Sequence, residues 1–152
     1  MNAAANLVEL HEGGCVCGSI RYRVRGPSLM GIVCHCKFCQ KRLATSYAVI
    51  AWFNDADVEF MQGTLTAYEH HSDESGRWLK IGFCGKCGTT LTHTAEVRPG
   101  FRAIAAGTFD DPDWFRVDRH IWTQSARPWV AIPADVEVYT QGSSGNAKPI
   151  ER

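Results

Sequence analysis

The sequence predicts a single, mainly β domain, and three observations lead to this prediction. Hydrophobic and polar residues alternate over short stretches, turn-forming residues separate most of these stretches, and no long run keeps the roughly 3.6-residue period of an amphipathic helix. The chain has 152 residues, of which 45% are hydrophobic and 21% are charged. This length and composition are typical of one globular domain that buries a core of its own.

The strands are predicted one after another along the chain. In "IRYRV" the residues Ile20, Tyr22 and Val24 share one face and arginines occupy the other, until Gly26 and Pro27 end the strand. Further strands are predicted, in chain order, at "LMGIVC", "SYAVIAWF", "DVEF", "LTAYEHH", "RWLKIGFC", "TTLTHTAEV", "FRAIAAGTF", "RHIWTQ", "WVAI" and "VEVY". Turn signals such as "DESG" and "DDPD" separate most of them. One short helix is predicted, at "KFCQKRLA".

The predicted domain spans residues 1–140. The segment 141–152 that follows it is rich in glycine, serine and other polar residues. Segments of this kind at a chain end are often poorly ordered. We therefore expect a flexible C-terminal tail without a catalytic role.

The balance of charge and the absence of long apolar segments limit the classes of function. Lys and Arg together number 16, as do Asp and Glu, so the formal net charge is zero, which argues against a general nucleic-acid binder. The start "MNAAANLVELHEGG" has no basic leader, and no segment approaches the ~20 apolar residues that span a bilayer. We therefore expect a cytoplasmic protein that binds neither membranes nor nucleic acids. The sequence predicts no particular oligomeric state.

The seven cysteines form three clusters, "GGCVCGS", "CHCKFC" and "FCGKCGTTL", and none lies outside them. In a reducing compartment, an odd number of clustered thiols indicates metal binding or catalysis rather than disulfides. A Cys-x-Cys pair on an extended strand directs both sulfurs to the same face. A Cys-x-x-Cys-Gly segment forms a tight turn, in which Gly88 can take a positive φ.

Counting ligands divides the clusters between two metal sites. Two pairs of cysteines complete a closed tetrahedral site, whereas "CHCKFC" added to either pair gives one sulfur too many. The predicted first site, the tetrad, consists of Cys15, Cys17, Cys84 and Cys87. The other three cysteines, the trio, leave a fourth position open, as catalytic zinc sites do; they are Cys34, Cys36 and Cys39. Sulfur ligands favour zinc, with iron as the main rival, although iron–sulfur clusters usually need a fourth cysteine.

The histidines near these clusters allow more than one interpretation. His35 lies between two trio ligands and points away from both if the segment is extended. It then either orients a ligand or shuttles a proton, or it is simply packed. His93 and His120 lie in predicted strands and are interpreted as structural. His70 and His71 precede a turn, and the sequence assigns them no role.

The cysteine motifs closely resemble those of the glutathione-dependent formaldehyde-activating enzyme family, which also includes centromere protein V-like domains. The matching segments are "GGCVCGSIRY", "CHCKFCQ" and "FCGKCGTTL", with no departure at a cysteine, and the resemblance extends over about residues 10 to 140. It implies a β-tent fold of several short coiled antiparallel sheets. It also implies a structural zinc at the tetrad, a catalytic zinc at the trio, and carbon–sulfur lyase chemistry that joins glutathione to formaldehyde.

Two functions follow from the residues and the resemblance together. The first is a zinc-dependent carbon–sulfur lyase-like enzyme, whose partners are a small thiol such as glutathione and an aldehyde and whose catalytic ligands are the trio. The alternative is a zinc-stabilised binding module without catalysis, in which the trio is a second structural site or a redox-sensitive one. A fourth protein ligand at the trio, such as a histidine, would favour this alternative. Lys37, Lys41 and Arg42 could attract the carboxylates of glutathione. A solvated helix face, the interpretation we prefer, explains them as well.

Overall fold

The computed structural model describes residues 7–152. The absence of a leader was predicted from residues 1–14, and the first six of these lie outside the described residues. Within this range the strands are β1 (Leu10–Gly14), β2 (Arg21–Arg25), β3 (Met30–Cys34), β4 (Ala48–Asn54), β5 (Val58–Gln62), β6 (Thr66–His71), β7 (Trp78–Phe83), β8 (Thr90–Ala95), β9 (Phe101–Ala105), β10 (Arg119–Ile121) and β11 (Glu137–Val138). One α-helix, α1, spans Lys37–Leu43, as predicted. In this part of the chain, no helix combines the length and the apolar character needed to cross a bilayer.

The strands form two sheets. A three-stranded antiparallel sheet has the order β1-β2-β5, and an eight-stranded sheet has the order β11-β10-β3-β4-β9-β8-β7-β6. Most neighbouring strands of the larger sheet are antiparallel, but the short β10 runs parallel to both β3 and β11. The fold is therefore mainly β with open, largely antiparallel sheets, which confirms the predicted fold class.

The larger sheet packs against other elements on both of its faces. Successive residues of a strand point to opposite faces, so Ala51 and Phe53 of β4 join one hydrophobic cluster while Ile50 and Trp52 join another. The first cluster also contains residues of the smaller sheet, including the fully buried Tyr22. Burial of a large apolar side chain contributes about 1.5–3 kcal/mol. Two tetrad cysteines belong to the first cluster and two trio cysteines to the second, so the candidate sites lie against opposite faces of one sheet.

Every predicted strand except one overlaps a strand of the structure. The predicted strand "WVAI" at 129–132 is wrong, because this segment forms a turn and irregular backbone. Pro128 and Pro133 flank it and have no N–H to donate to a ladder, and Trp129 is 72% exposed. Strand β1 was not predicted, because its sequence "LHEGG" does not alternate. There Gly13 is required by packing, since an added Cβ would overlap the hydroxyl of Tyr22.

The C-terminal segment contacts the preceding loop. The Ile150 N–H donates to the Val138 carbonyl oxygen at 2.8 Å. The Arg152 guanidinium donates to three carbonyl oxygens of the segment 133–136. The predicted boundary at residue 140 and the flexibility of the tail stay predictions, which hydrogen exchange would measure.

Candidate metal centres

The structure brings the four tetrad sulfurs together. All of them lie within 4.8 Å of one another, with Cys15 and Cys17 at 3.5 Å and Cys17 and Cys84 at 3.8 Å. A tetrahedral ion with zinc–sulfur bonds of about 2.3 Å separates its ligands by about 3.8 Å. The tetrad therefore could hold a metal ion in a closed four-sulfur site.

Two turns supply these ligands. The second pair lies in the turn between β7 and β8, where Gly88 takes a φ of 78° and its N–H donates to the Cys84 carbonyl oxygen at 2.8 Å. This confirms the positive φ predicted for Gly88. The first pair lies in the hairpin turn between β1 and β2 rather than on an extended strand as predicted. Gly18, with a φ of 74°, closes that turn through its hydrogen bond to the Cys15 carbonyl oxygen.

Two hydroxyl groups that the sequence analysis did not single out contact the tetrad. The Ser19 Oγ lies 3.0 Å from the Cys17 sulfur and 3.4 Å from the Cys84 sulfur. The Thr89 Oγ1 lies 3.2 Å from the Cys87 sulfur and accepts the N–H of Val16. Each hydroxyl stands two residues after a ligand cysteine, in Cys17-x-Ser19 and Cys87-x-Thr89, and this spacing could have indicated them.

Thr89 hydrogen-bonds to both halves of the tetrad and also changes the pKa of one of its cysteines. Its hydroxyl and its backbone N–H hydrogen-bond to the Cys87 sulfur and lower the pKa of that thiol from 9.0 to about 5. The same hydroxyl accepts the N–H of Val16, which lies between the first two ligands. Outer groups of this kind orient ligands and favour their metal-binding form.

The trio lies where β3 ends and α1 begins. Cys34 is the last residue of β3, Cys36 is the N-cap of α1, and Cys39 lies in its first turn. The three sulfurs lie within 4.8 Å of one another. Cys34 and Cys39 are buried and Cys36 is half-buried. The predicted ligands therefore converge on one point, with Cys36 the member nearest to solvent.

In the part of the chain that the structure describes, no further His, Cys, Asp or Glu completes the trio. Among residues 7–152, no other His, Cys, Asp or Glu donor joins the three sulfurs within 4.8 Å. Residues 1–6 contain none of these residue types. If an ion held by the trio is tetrahedral, its fourth position is therefore available to a molecule from outside the protein.

Hydrogen bonds fix the helix that carries two of these ligands. The Cys36 sulfur accepts the N–H of Cys39 at 3.3 Å, which caps α1. The buried Gln40 side chain donates to the carbonyl oxygens of His35 at 2.6 Å and Ser125 at 2.9 Å. The Cys34 and Cys39 thiols hydrogen-bond to the Cys36 sulfur and lower the pKa of Cys36 to about 3. The Cys36 sulfur, which is the trio member nearest to solvent, is therefore readily deprotonated.

His35 packs behind the trio. Its side chain is fully buried and points to His120, with the His35 Nε2 and the His120 Nδ1 2.8 Å apart. Burial lowers the pKa of both rings, that of His120 to about 4. His93 is also buried, edge-to-face with Trp52, and burial lowers its pKa to about 3. These positions agree with the structural interpretation of His93 and His120.

The basic residues of α1 lie on two sides of the helix. Lys37 and Lys41 are exposed and line a surface groove. Arg42 lies beside Phe38, whose ring centre is 5.8 Å from the guanidinium carbon and which stacks on His70. The Arg42 Nε and Nη1 are buried, and neither has a hydrogen-bond partner within the described range. The hydrogen bond with Cys34 and the charge of Arg42 lower the pKa of Cys39, but the hydrogen bond with Cys36 and burial outweigh them and raise it to about 12.

Comparisons with known proteins agree with this arrangement. The family described as "Glutathione-dependent formaldehyde-activating enzyme" matches residues 10–125, a span that contains all seven cysteines. Among solved structures, a Rhodobacter sphaeroides protein is similar with a TM-score of 0.54 and 24% identity, over 70% of this chain and 96% of that chain. At this identity the structural likeness shows the fold alone, whereas the family match covers most of the chain. The chain therefore belongs to the glutathione-dependent formaldehyde-activating enzyme family.

Proposed function

We propose that this protein is a zinc-dependent carbon–sulfur lyase that joins a small thiol to an aldehyde and reverses this addition. The observation that carries the proposal is the trio, which offers three converging sulfurs and no fourth protein donor among the described residues. The substrates we propose are glutathione and formaldehyde, the two compounds in the family's description. The competing function is a zinc-stabilised binding module.

The donor sets of both centres fit zinc. Thiolate sulfur favours zinc over hard cations, closed four-sulfur sites are structural, and three-ligand sites keep a position for substrate. We therefore propose a structural zinc at the tetrad and a catalytic zinc at the trio. Zinc at the trio would supply the stabilisation of a substrate thiolate and the polarisation of the aldehyde.

The proposed reaction is an addition without oxidation or reduction. The thiolate sulfur forms a bond to the carbonyl carbon, and the π electrons of the carbonyl group move to its oxygen. The proton that the thiol released ends on this oxygen, which gives an S-hydroxymethyl adduct and no leaving group. Holding both reactants in one site supplies much of the rate gain, because a bimolecular encounter becomes effectively intramolecular.

The residues around the trio have distinct roles in this proposal. Cys36 is half-buried, so we propose that substrates approach from its side. Cys34 and Cys39 are held in the second hydrophobic cluster and keep the sulfurs in place. Arg42 contributes a positive charge that partly offsets the negative charge of the trio thiolates.

The proposal is tested by the rate at which glutathione and formaldehyde exchange with their adduct, measured by NMR on the zinc-loaded protein. We expect the wild type to accelerate the exchange and Cys36→Ser to lose the acceleration while keeping its melting temperature. Cys15→Ser is the matched control, and we expect it to lower the melting temperature, because the tetrad joins two distant turns. Equal exchange rates with and without wild-type protein would support the binding module instead.

A further inference from the structure

A single residue, His35, joins the strand and the helix that carry the trio. Cys34 is the last residue of β3 and Cys36 is the N-cap of α1. Only His35 therefore lies between the ligand on the strand and the two ligands on the helix. Because a metal ion needs all three sulfurs at fixed distances from one another, the conformation of His35 helps to decide whether the trio can hold an ion.

Hydrogen bonds hold His35 at its backbone and at its ring. Its N–H donates to the Ile121 carbonyl oxygen at 3.0 Å, and its carbonyl oxygen accepts a side-chain N–H of Gln40 at 2.6 Å. Its fully buried ring lies 28° from parallel to the ring of His120, and the His35 Nε2 is 2.8 Å from the His120 Nδ1. The His35 Nδ1 is buried and has no hydrogen-bond partner in the described part of the chain. His120 is therefore the polar group that orients this ring.

These contacts converge on one short segment, residues 120–125. His120 and Ile121 belong to β10, which runs parallel to β3. The Gln40 side chain, which holds the His35 carbonyl oxygen, also donates to the Ser125 carbonyl oxygen at 2.9 Å. The segment 120–125 therefore supports the trio from the strand side and from the helix side.

The backbone of this segment has an unusual conformation between its two sets of contacts. Trp122 has a φ of 58°, in the left-handed region that bulky side chains seldom adopt. Its N–H donates to the Gln141 carbonyl oxygen at 3.0 Å, and the next N–H, of Thr123, donates to the Tyr139 carbonyl oxygen at 3.2 Å. Conformations of this kind cluster at functional sites and persist where surrounding contacts maintain them. The contacts with residues 139–141 thus hold the segment in place beside the trio.

We propose that His120 is a positioning residue of the trio. Its hydrogen bond to His35 holds the link between Cys34 and Cys36 in the conformation that brings the three sulfurs onto one metal ion. The inference rests on the proposed function in that the trio binds zinc, but it does not depend on the reaction. His120 is not one of the grouped metal donors, so it acts through His35, as groups outside the ligand set commonly do.

Two replacements of His120 separate this hydrogen bond from simple packing. His120→Asn carries amide atoms one bond beyond Cγ, where histidine has Nδ1, so it can restore the bond to His35 but leaves part of the ring's space empty. His120→Phe fills that space and offers no hydrogen bond. We expect the phenylalanine variant to lose about 10–100-fold in zinc affinity at the trio, and the asparagine variant to retain most of it. A residue that only fills space would give the opposite order.

The measurement is competition with a zinc chelator, which reports the affinity of both centres in one protein. Cys36→Ser keeps the four tetrad cysteines and identifies the step that belongs to the tetrad. We expect the tetrad affinity to be the same in the wild type and in both His120 variants. His93→Phe, which replaces a buried histidine that lies against Trp52, is the matched control and should bind zinc at the trio as the wild type does.

Three results would overturn the role of His120. They are a phenylalanine variant with wild-type affinity at the trio, an asparagine variant that loses as much affinity as the phenylalanine variant, and a loss of equal size at both centres. A wild-type trio that takes up no zinc would overturn both this role and the proposed function. The expected affinities in a protein that does not accelerate adduct exchange would refute the proposed reaction and leave the role of His120 intact.

Discussion

Single hydroxyl groups connect the two turns that supply the tetrad cysteines. Thr89 is the clearest case, because its hydroxyl connects the Cys87 sulfur with the N–H of Val16, and these belong to different turns. Ser19 does the same for the sulfurs of Cys17 and Cys84. Neither hydroxyl is itself a ligand in the proposed site. Their effect should therefore be seen in metal affinity rather than in which cysteines bind.

We predict that Thr89→Val weakens zinc binding at the tetrad by about 10–100-fold. Valine has nearly the same shape as threonine but lacks the hydroxyl that lowers the pKa of Cys87. Thr89→Ser keeps a hydroxyl and should restore most of the affinity. Competition with a zinc-binding dye measures both values, and equal affinities for the valine variant and the wild type would show that the hydroxyl has no such role.

The buried His93 makes stability depend on pH. Its pKa is about 3 in the folded chain against an ordinary value of 6.5, because burial disfavours the charged ring. The unfolded chain therefore takes up a proton that the folded chain does not bind, so stability falls as pH drops from 6.5 towards 3. For one such group, the loss between about pH 7 and pH 5 is about 2 kcal/mol.

We predict that His93→Phe reduces the pH dependence of the unfolding free energy by about this amount. Phenylalanine keeps a ring against Trp52 and cannot titrate. Denaturant unfolding of the zinc-loaded proteins at several pH values measures the slope, and any pH effect on the metal sites is shared by both proteins. Parallel slopes for variant and wild type would contradict a buried, neutral His93.

At the scale of elements, strand β3 depends on close contact with the segment before β10. The Gly31 N–H donates to the Asp118 carboxylate at 2.6 Å, and the Asp118 N–H donates to the Gly31 carbonyl oxygen at 2.8 Å. There is no room for a side chain, because a Cβ on Gly31 would overlap the Arg116 carbonyl oxygen. This contact supports the strand that ends at Cys34.

We predict that Gly31→Ala lowers the free energy of unfolding by about 2 kcal/mol or more, because rigid backbone must move to admit the methyl group. Gly107→Ala is the matched control. Nothing lies within 4 Å of a Cβ at Gly107, and its φ does not demand glycine, so its stability should change by less than about 0.5 kcal/mol. Chemical denaturation compares the two, and similar values would show that the close approach at Gly31 is not limiting.

The elements were largely predictable because their signals are local. Short apolar or alternating stretches between turn signals predicted β2 through β11, and "KFCQKRLA" was the one segment predicted to form a helix. "WVAI" is as apolar as a buried strand, but the prolines on either side keep it out of the sheet. β1 depends on the ring of Tyr22 beside Gly13, a contact that no local pattern reveals.

At the scale of the whole molecule, one sheet separates the two candidate centres. The tetrad contributes to the cluster between the sheets and the trio to the cluster on the opposite face. The division of seven cysteines into four and three followed from their spacing, because ligand geometry limits which clusters can be combined. The surface groove lined by Lys37 and Lys41 could not be predicted from the sequence. It lies between α1 and a segment more than 80 residues later in the chain, which is held there by contacts such as Gln40 to Ser125.

The central claim is that the trio is an open metal site that accepts a thiol from outside the protein. The most direct test is to replace zinc by cobalt(II) and to titrate the protein with glutathione while recording the thiolate-to-cobalt charge-transfer absorption. We predict that this absorption increases and saturates in the wild type, because a fourth sulfur joins the three of the trio, and that it does not change in Cys36→Ser. An absorption that stays constant in the wild type would show that the trio does not take up the thiol, and would contradict the claim.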